Sequence, residues 1–353
     1  MLDFTLWRDV TPREIELAAA GKQYLSVRLT FECQGQEAEL LLPLVVVHRG
    51  RGPSVLVAGG THGDEFEGQI TVAKLCREID PESVQGTLIL LPLHNVLACH
   101  AGTRLTPGDN SDLNRLYGGR PGNGPAHAIA RFVESILLPR IDWVIDLHSG
   151  GVEHEFVLSS NLQARMHSPE FETMLAPLLA FDAPYAIVFD EVSAGGQMPH
   201  TGTLEGFART LGKKAISSEL GGGGRVTPAS LGVAEHGLCS LLAHIGVVPW
   251  SGATPPERSR SRLLFLGRPE HYVAAPMAGR FAPAAALGEK ISKGDLLGNV
   301  APLHDPLAQP KPVISSSDGI VVAIAQKGLQ QSGNGLFYLA DEHDCRLIGS
   351  VLQ

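Results

Sequence analysis

Two histidines and two glutamates stand where metal and acid–base chemistry could be assembled. His62 and Glu65 lie three residues apart in Gly59-Gly60-Thr61-His62-Gly63-Asp64-Glu65-Phe66-Glu67-Gly68, directly after the apolar run Val55-Leu56-Val57-Ala58. His148 closes Val144-Ile145-Asp146-Leu147 and opens into Ser149-Gly150-Gly151. Glu219 follows Ala215-Ile216-Ser217-Ser218 in the same manner. Two histidines and one glutamate with an open position form a known ligand set for catalytic zinc, and a further carboxylate can move protons. An H-x-x-E pair alone says little in a chain with 14 histidines. An apolar strand that delivers a histidine into a glycine turn says more, because a buried histidine with no task is more often replaced by an aliphatic residue.

A second cluster, Ser111-Asp112-Leu113-Asn114-Arg115, sits in a glycine- and proline-containing loop with Arg104. Both arginines could simply be solvated loop charges. A hydrolase, however, needs a cation where oxyanion charge develops and a guanidinium fork to hold a substrate carboxylate. The loop offers both.

These residues need a scaffold that brings them together. Residues 23–47 alternate apolar and polar positions and then run apolar around Pro43, which predicts strands at a sheet edge. After the turn Arg49-Gly50-Arg51-Gly52-Pro53 the pattern predicts a buried strand over Ser54–Ala58, a helix over Phe66–Ile79 and a strand over Thr87–Leu91. A helix over Ala126–Leu138 and a strand over Trp143–Leu147 follow. Strand–turn–helix repetition predicts an α/β fold with a mixed, mostly parallel sheet flanked by helices. His62, His148 and Glu219 all fall just past or at carboxyl ends of strands, the edge where open α/β sheets bind ligands.

The chain is expected to divide into a catalytic domain at 1–250, whose first 48 residues are an N-terminal β segment, a linker at 251–262, and a small C-terminal all-β domain at 263–353. Pro, Ser and Arg dominate the linker, and beyond it short apolar pieces alternate with Gly and Pro. The stretch Gly288–Gly298 resembles biotinyl/lipoyl-type barrel-sandwich domains, without a lysine in the usual modification motif.

A net charge of -9 and the lack of a basic run argue against a nucleic-acid partner. No apolar segment reaches the roughly 18 residues that span a bilayer, and the acidic start is unlike a signal peptide. A cytoplasmic protein acting on a small molecule is expected, with a homo-oligomer left open. Five scattered cysteines, Cys33, Cys76, Cys99, Cys239 and Cys345, suggest free, mostly buried thiols. Cys99-His100 is no dyad, since neighbouring side chains point apart. His94, His127, His154, His200 and His236 have no partner at metal spacing, although His154 lies close enough to the His148 turn to reach a cleft there.

H-G-D-E-x-E-G, D-L-N-R, D-L-H-S-G-G and S-E-x-G, in that order, resemble the succinylglutamate desuccinylase/aspartoacylase family of zinc amidohydrolases, related to the zinc carboxypeptidases. The resemblance runs through about residues 50–250. It implies one Zn2+ per chain held by His62, Glu65 and His148. It also implies substrate-carboxylate binding by Asn114 and Arg115, Glu219 as general base and proton shuttle, and Arg104 polarising the scissile carbonyl. The gap from Arg104 to Asn114 is longer here than in aspartoacylase itself. Asp64 is expected to cap the following helix, and Glu67 to be structural. Family substrates include succinylglutamate, N-acetylaspartate and N-α-acetyl-L-2,4-diaminobutyrate, and the flanking β segments are most like the diaminobutyrate deacetylase group. Two other readings compete: a metallocarboxypeptidase or amidase acting on peptides, and a non-catalytic binding protein on the same fold.

Overall fold

Leu25, Val27 and Leu29 on one strand and Leu40, Leu42 and Leu44 on the next are all buried, and this two-residue period builds the first hairpin. It pairs Gly21–Cys33 antiparallel with Gln36–Arg49. Pro43 lies outside the Val45–Arg49 segment that continues the ladder on its other side, so its missing N–H removes no bond there. The computed structural model describes residues 6–33, 35–190, 202–249, 261–305 and 307–343. The expected linker at 251–262 lies almost wholly outside the described residues, as do His200 and Cys345.

The described residues of Met1–His148, His200–Ser218 and Val226–Ser259 form one compact unit. Its sheet runs Arg8–Val10, Gly21–Cys33, Gln36–Arg49, Gly86–Leu91, Ser54–Gly59, Trp143–His148, and then the strand Lys214–Glu219. Every residue of Gly86–Leu91 and Trp143–His148 is buried, as befits strands covered on both faces. Ser54–Gly59 is parallel to both neighbours, with Ala58 beside Asp146 and Gly59 beside Leu147. That register sets the turn after Gly59 next to His148.

Glycine fixes how closely these segments approach. A Cβ on Gly68 would lie 2.4 Å from the Leu147 carbonyl oxygen, and one on Gly59 2.4 Å from that of Gly68. The helix Phe66–Glu78 therefore rests its main chain against the strand ends. Ser230, on the helix Pro228–Ile245, donates to buried Glu67 at 3.1 Å, a structural use of that carboxylate. The helix expected over Ala126–Leu138 is α-helical only at Pro125–Phe132, continuing as a π turn and then a 3-10 turn at Leu138–Arg140. Pro139 has no N–H to continue an α ladder.

The second unit comprises the described residues of Ser149–Pro199, Glu219–Arg225 and Arg260–Gln353. Ser159–Gln163, Tyr185–Phe189 and Arg262–Leu266 run parallel, and Gly335–His343 and Gly319–Ala325 extend them antiparallel. A separate four-stranded antiparallel sheet orders Lys311–Ile314, Leu296–Ala301, Gly279–Pro283 and Leu329–Gln330. Phe281, Leu297, Val300, Leu336 and Phe337 form its core. The fold is mixed α/β with a C-terminal antiparallel sheet, as the sequence pattern predicts.

Among the described residues no helix is long and apolar enough to cross a membrane. Cys33, Cys76, Cys99 and Cys239 are free thiols, but only Cys76 is buried and Cys239 is exposed, so the expectation of mostly buried thiols is corrected.

Candidate metal centre

His62 lies in the turn between Gly59 and the helix Phe66–Glu78, and Glu65 occupies that helix's N-cap position. No side chain caps the helix from there. Asp64, expected to cap this helix, immediately precedes that position and is buried. The Glu65 carboxylate is committed elsewhere: Oε1 lies 2.8 Å from His62 Nδ1 and Oε2 2.8 Å from His148 Nδ1. All three residues are buried, with the imidazole centroids 5.2 Å apart.

The far nitrogen of each ring meets its own aspartate. His62 Nε2 is 3.0 Å from Asp112 Oδ1, and His148 Nε2 is 2.9 Å from Asp146 Oδ2. An ionised carboxylate only accepts, so both Nε2 atoms carry protons and both Nδ1 lone pairs point at Glu65. Lone pairs facing carboxylate oxygens at 2.8 Å repel unless positive charge stands between them.

The electrostatics say the same. Burial works against the charged form of both rings, yet Glu65 and Asp112 raise His62, while Asp146 and Glu65 hold His148 well above its ordinary range. Burial likewise opposes the ionised carboxylates, but His62 and His148 pull Glu65 down, His62 and Arg104 pull Asp112 down, and His148 pulls Asp146 down. The position between the rings calls for a cation, whether two protons or one metal ion. Single donor atoms of His62, Glu65 and His148 lie within 4.8 Å of one another, and the two-histidine, one-carboxylate set fits zinc.

Arg104 lies beside these ligands, with Nη1 3.6 Å from Glu65 Oε1 and Nη2 donating to Asp112 Oδ2 at 3.1 Å. Asn114 is buried, accepts from the Leu204 N–H at 2.9 Å and points Nδ2 at His148 Nε2, 3.3 Å away. Arg115 is exposed and donates to the Asn114 carbonyl at 2.7 Å.

Glu219 belongs to the second unit, as the last residue of the strand Lys214–Glu219. The glycines that follow are stitched down: Gly221 accepts from the Gly150 N–H, Gly223 donates to His154 and Gly224 to Gly151, at 2.9, 2.9 and 2.7 Å. Gly222 has φ 133°, and a Cβ there would lie 2.2 Å from the His154 carbonyl oxygen. His154 itself lies 3.1 Å from the Gly335 carbonyl and stacks on Tyr338.

Several residues at this centre carried no assigned role in the sequence reading. Asp112 and Asp146 sat inside the quoted motifs. Since residues i and i+2 of a strand share a face, Asp146 and His148 were a readable pair. Glu205, on the helix Leu204–Thr210, is buried with a donor atom within 4.8 Å of Asp146 and His148. Burial, then Asp146, pushes its carboxyl up. Thr61, His94 and Tyr117 form a buried hydrogen-bonded group behind Asp146. Cys99, on the helix Val96–Ala101, donates to the Gly60 carbonyl at 3.3 Å, and burial pushes its thiol up to about 12; no thiolate dyad forms with His100.

A family model described as the succinylglutamate desuccinylase/aspartoacylase catalytic domain matches residues 51–245. The N-alpha-acetyl-L-2,4-diaminobutyric acid deacetylase of Halomonas elongata is 32% identical over 286 residues, 80% of this chain and 81% of that protein. Among solved structures, a succinylglutamatedesuccinylase/aspartoacylase from Rhodobacter sphaeroides superposes with a TM-score of 0.84 at 30% identity, covering 94% of this chain and 98% of that one. The product-bound ectoine utilization protein EutE (DoeB) from Ruegeria pomeroyi gives 0.83 at 29% identity, with 93% and 97% covered.

Proposed function

Because the chain belongs to the succinylglutamate desuccinylase/aspartoacylase family, we propose that it is a zinc-dependent deacylase cleaving the amide bond of a small N-acyl amino acid, N-α-acetyl-L-2,4-diaminobutyrate foremost. The observation that carries the metal-hydrolase reading is the convergence of both Nδ1 atoms on the Glu65 carboxylate at 2.8 Å, each ring's Nε2 being held by its own aspartate. Likeness over four fifths of both chains to a diaminobutyrate deacetylase supports the choice of substrate.

His62, Glu65 and His148 hold the ion. Zinc, when bound, supplies Lewis-acid charge that makes a water acidic near neutrality and steadies developing negative charge. Glu219, assigned on its motif Ser218-Glu219-Leu220-Gly221, takes the proton from the water that attacks the N-acyl carbonyl and returns it to the leaving amine. Arg104 donates to the carbonyl oxygen as it gains charge, a reading supported by its approach to Glu65. Asn114 and Arg115 bind the substrate carboxylate, the exposed guanidinium as a fork.

The test is a deacylation screen of zinc-loaded protein against N-acetyl, N-succinyl and N-formyl amino acids, with N-α-acetyl-L-2,4-diaminobutyrate among them. Turnover of the diaminobutyrate derivative above the rest is expected. No turnover of any member would move the reading to a peptidase. Glu219→Gln should retain zinc and lose turnover; near-wild-type turnover with zinc bound would remove Glu219 from the mechanism.

A further inference from the structure

Behind the metal centre, polar atoms are joined in a line where a core would ordinarily be apolar. Tyr117 Oη lies 2.8 Å from His94 Nε2, and His94 Nδ1 lies 2.9 Å from Thr61 Oγ1. Thr61 Oγ1 lies 2.9 Å from Asp146 Oδ1, and Asp146 Oδ2 lies 2.9 Å from His148 Nε2. Tyr117, His94, Thr61 and Asp146 are between 0% and 1% exposed, so solvent cannot replace any link.

The direction of each bond follows from the next. Thr61 donates its single hydroxyl proton to the Asp146 carboxylate. Thr61 Oγ1 must then accept from His94, which places the His94 proton on Nδ1. Burial pushes His94 down to about 4, so at neutral pH the ring keeps one proton and Nε2 is bare. The phenol of Tyr117, kept protonated by burial, donates to that nitrogen. A buried polar group that is merely satisfied has no reason to give three successive bonds one consistent sense, ending on the carboxylate that accepts from a proposed ligand.

We infer that Tyr117, His94 and Thr61 are positioning residues of the metal centre, which fix the Asp146 carboxylate and through it the tautomer and orientation of the His148 ring. Thr61 Oγ1 lies 2.9 and 3.1 Å from the two Asp146 oxygens and His148 meets the second of them, so the carboxylate is held from two sides. Without Thr61 the carboxylate is anchored only through the ring it is meant to orient. The inference rests on the metal reading proposed above.

The experiment compares zinc affinity, by chelator competition, in wild type, Thr61→Ser, Thr61→Val and Tyr117→Phe, with melting temperatures of the metal-free proteins alongside. Outer partners of metal-bound histidines are worth about 10–100-fold in metal affinity. Thr61→Val, which keeps the volume and removes the hydroxyl, should bind zinc at least about tenfold more weakly, and Tyr117→Phe, two bonds further out, should weaken binding by less than Thr61→Val. Thr61→Ser, which keeps the hydroxyl, should stay within about twofold, and the cobalt-substituted Thr61→Val protein should show displaced ligand-field bands. If wild type binds zinc and both Thr61→Val and Tyr117→Phe bind within twofold of it, the inference falls and the metal reading stands. If wild type binds no zinc, both fall together. Should Thr61→Val fail to fold, imidazole 15N spectra of the wild-type protein decide instead. His94 protonated on Nδ1 with a bare Nε2 supports the inference, and the opposite tautomer overturns it.

Discussion

The two histidines of the centre face the same carboxylate, Glu65, from opposite surroundings. His62 is anchored on the loop side, by Asp112, whose side chain is 18% exposed and also engages Arg104. His148 is anchored on the core side, by Asp146, which is fully buried and backed by Thr61, His94 and Tyr117. An anchor near solvent is screened and can be relieved by water and by neighbouring charges. A buried one has no such relief, and its loss leaves polar atoms unpaired. The difference teaches that the core-side ligand is the less forgiving of the two.

Removing what both rings share should erase the distinction. Glu65→Gln is expected to weaken zinc binding by more than about 100-fold and to abolish deacylation, read as metal content per chain and turnover; full zinc occupancy would break the account of the centre. Separating the rings comes next. Asp146→Asn should cost about 100-fold in zinc affinity and Asp112→Asn about tenfold, the two ends of the range for outer partners, and equal losses would refute the asymmetry.

A titration sharpens the comparison further. Both rings have folded pKa values raised above the ordinary value near 6.5, by Glu65 and the aspartates against the opposing effect of burial. In the metal-free protein these protonated rings contribute stability that is fully present below about pH 6.5 and lost as pH rises through the raised folded values. Zinc must displace the same protons, so its affinity should fall as pH drops through that window. Asp146→Asn should shift the dependence to lower pH more than Asp112→Asn, as measured by chelator competition across a pH series. The smallest effect belongs to a residue that touches neither ring: Arg115→Ala should raise KM about tenfold with kcat and zinc affinity unchanged, and a fall in kcat alone would reassign it.

That His62, Glu65 and His148 gather in one place was legible because each terminates or follows a recognisable buried strand, and because the motifs around them are ordered. The strands themselves were legible wherever burial required continuous apolar residues, as at Val55–Ala58 and Val144–Leu147. Ser159–Gln163 escaped notice since Ser, Ser, Asn and Gln do not read as a buried strand; the structure buries all five residues and hydrogen-bonds Ser159 to Asn161 and Ser160 to the Leu178 carbonyl. Thr61, His94 and Tyr117 were illegible for another reason. Their partners lie 33, 85 and 23 positions apart in sequence, and no local period encodes a bond between a turn, a strand end and a loop. The aspartates fall between these cases, visible in the motifs yet without a role until the rings were placed.

The close approach of Gly68 to the Leu147 carbonyl bears on how the centre is held. Glu65 and His148 are carried by main-chain segments that lie close against each other, so the backbone positions from which the two side chains reach out are fixed by packing. A bulkier residue at position 68 would therefore be felt at both side chains, because it would lever the helix that follows Glu65 away from the strand that ends in His148.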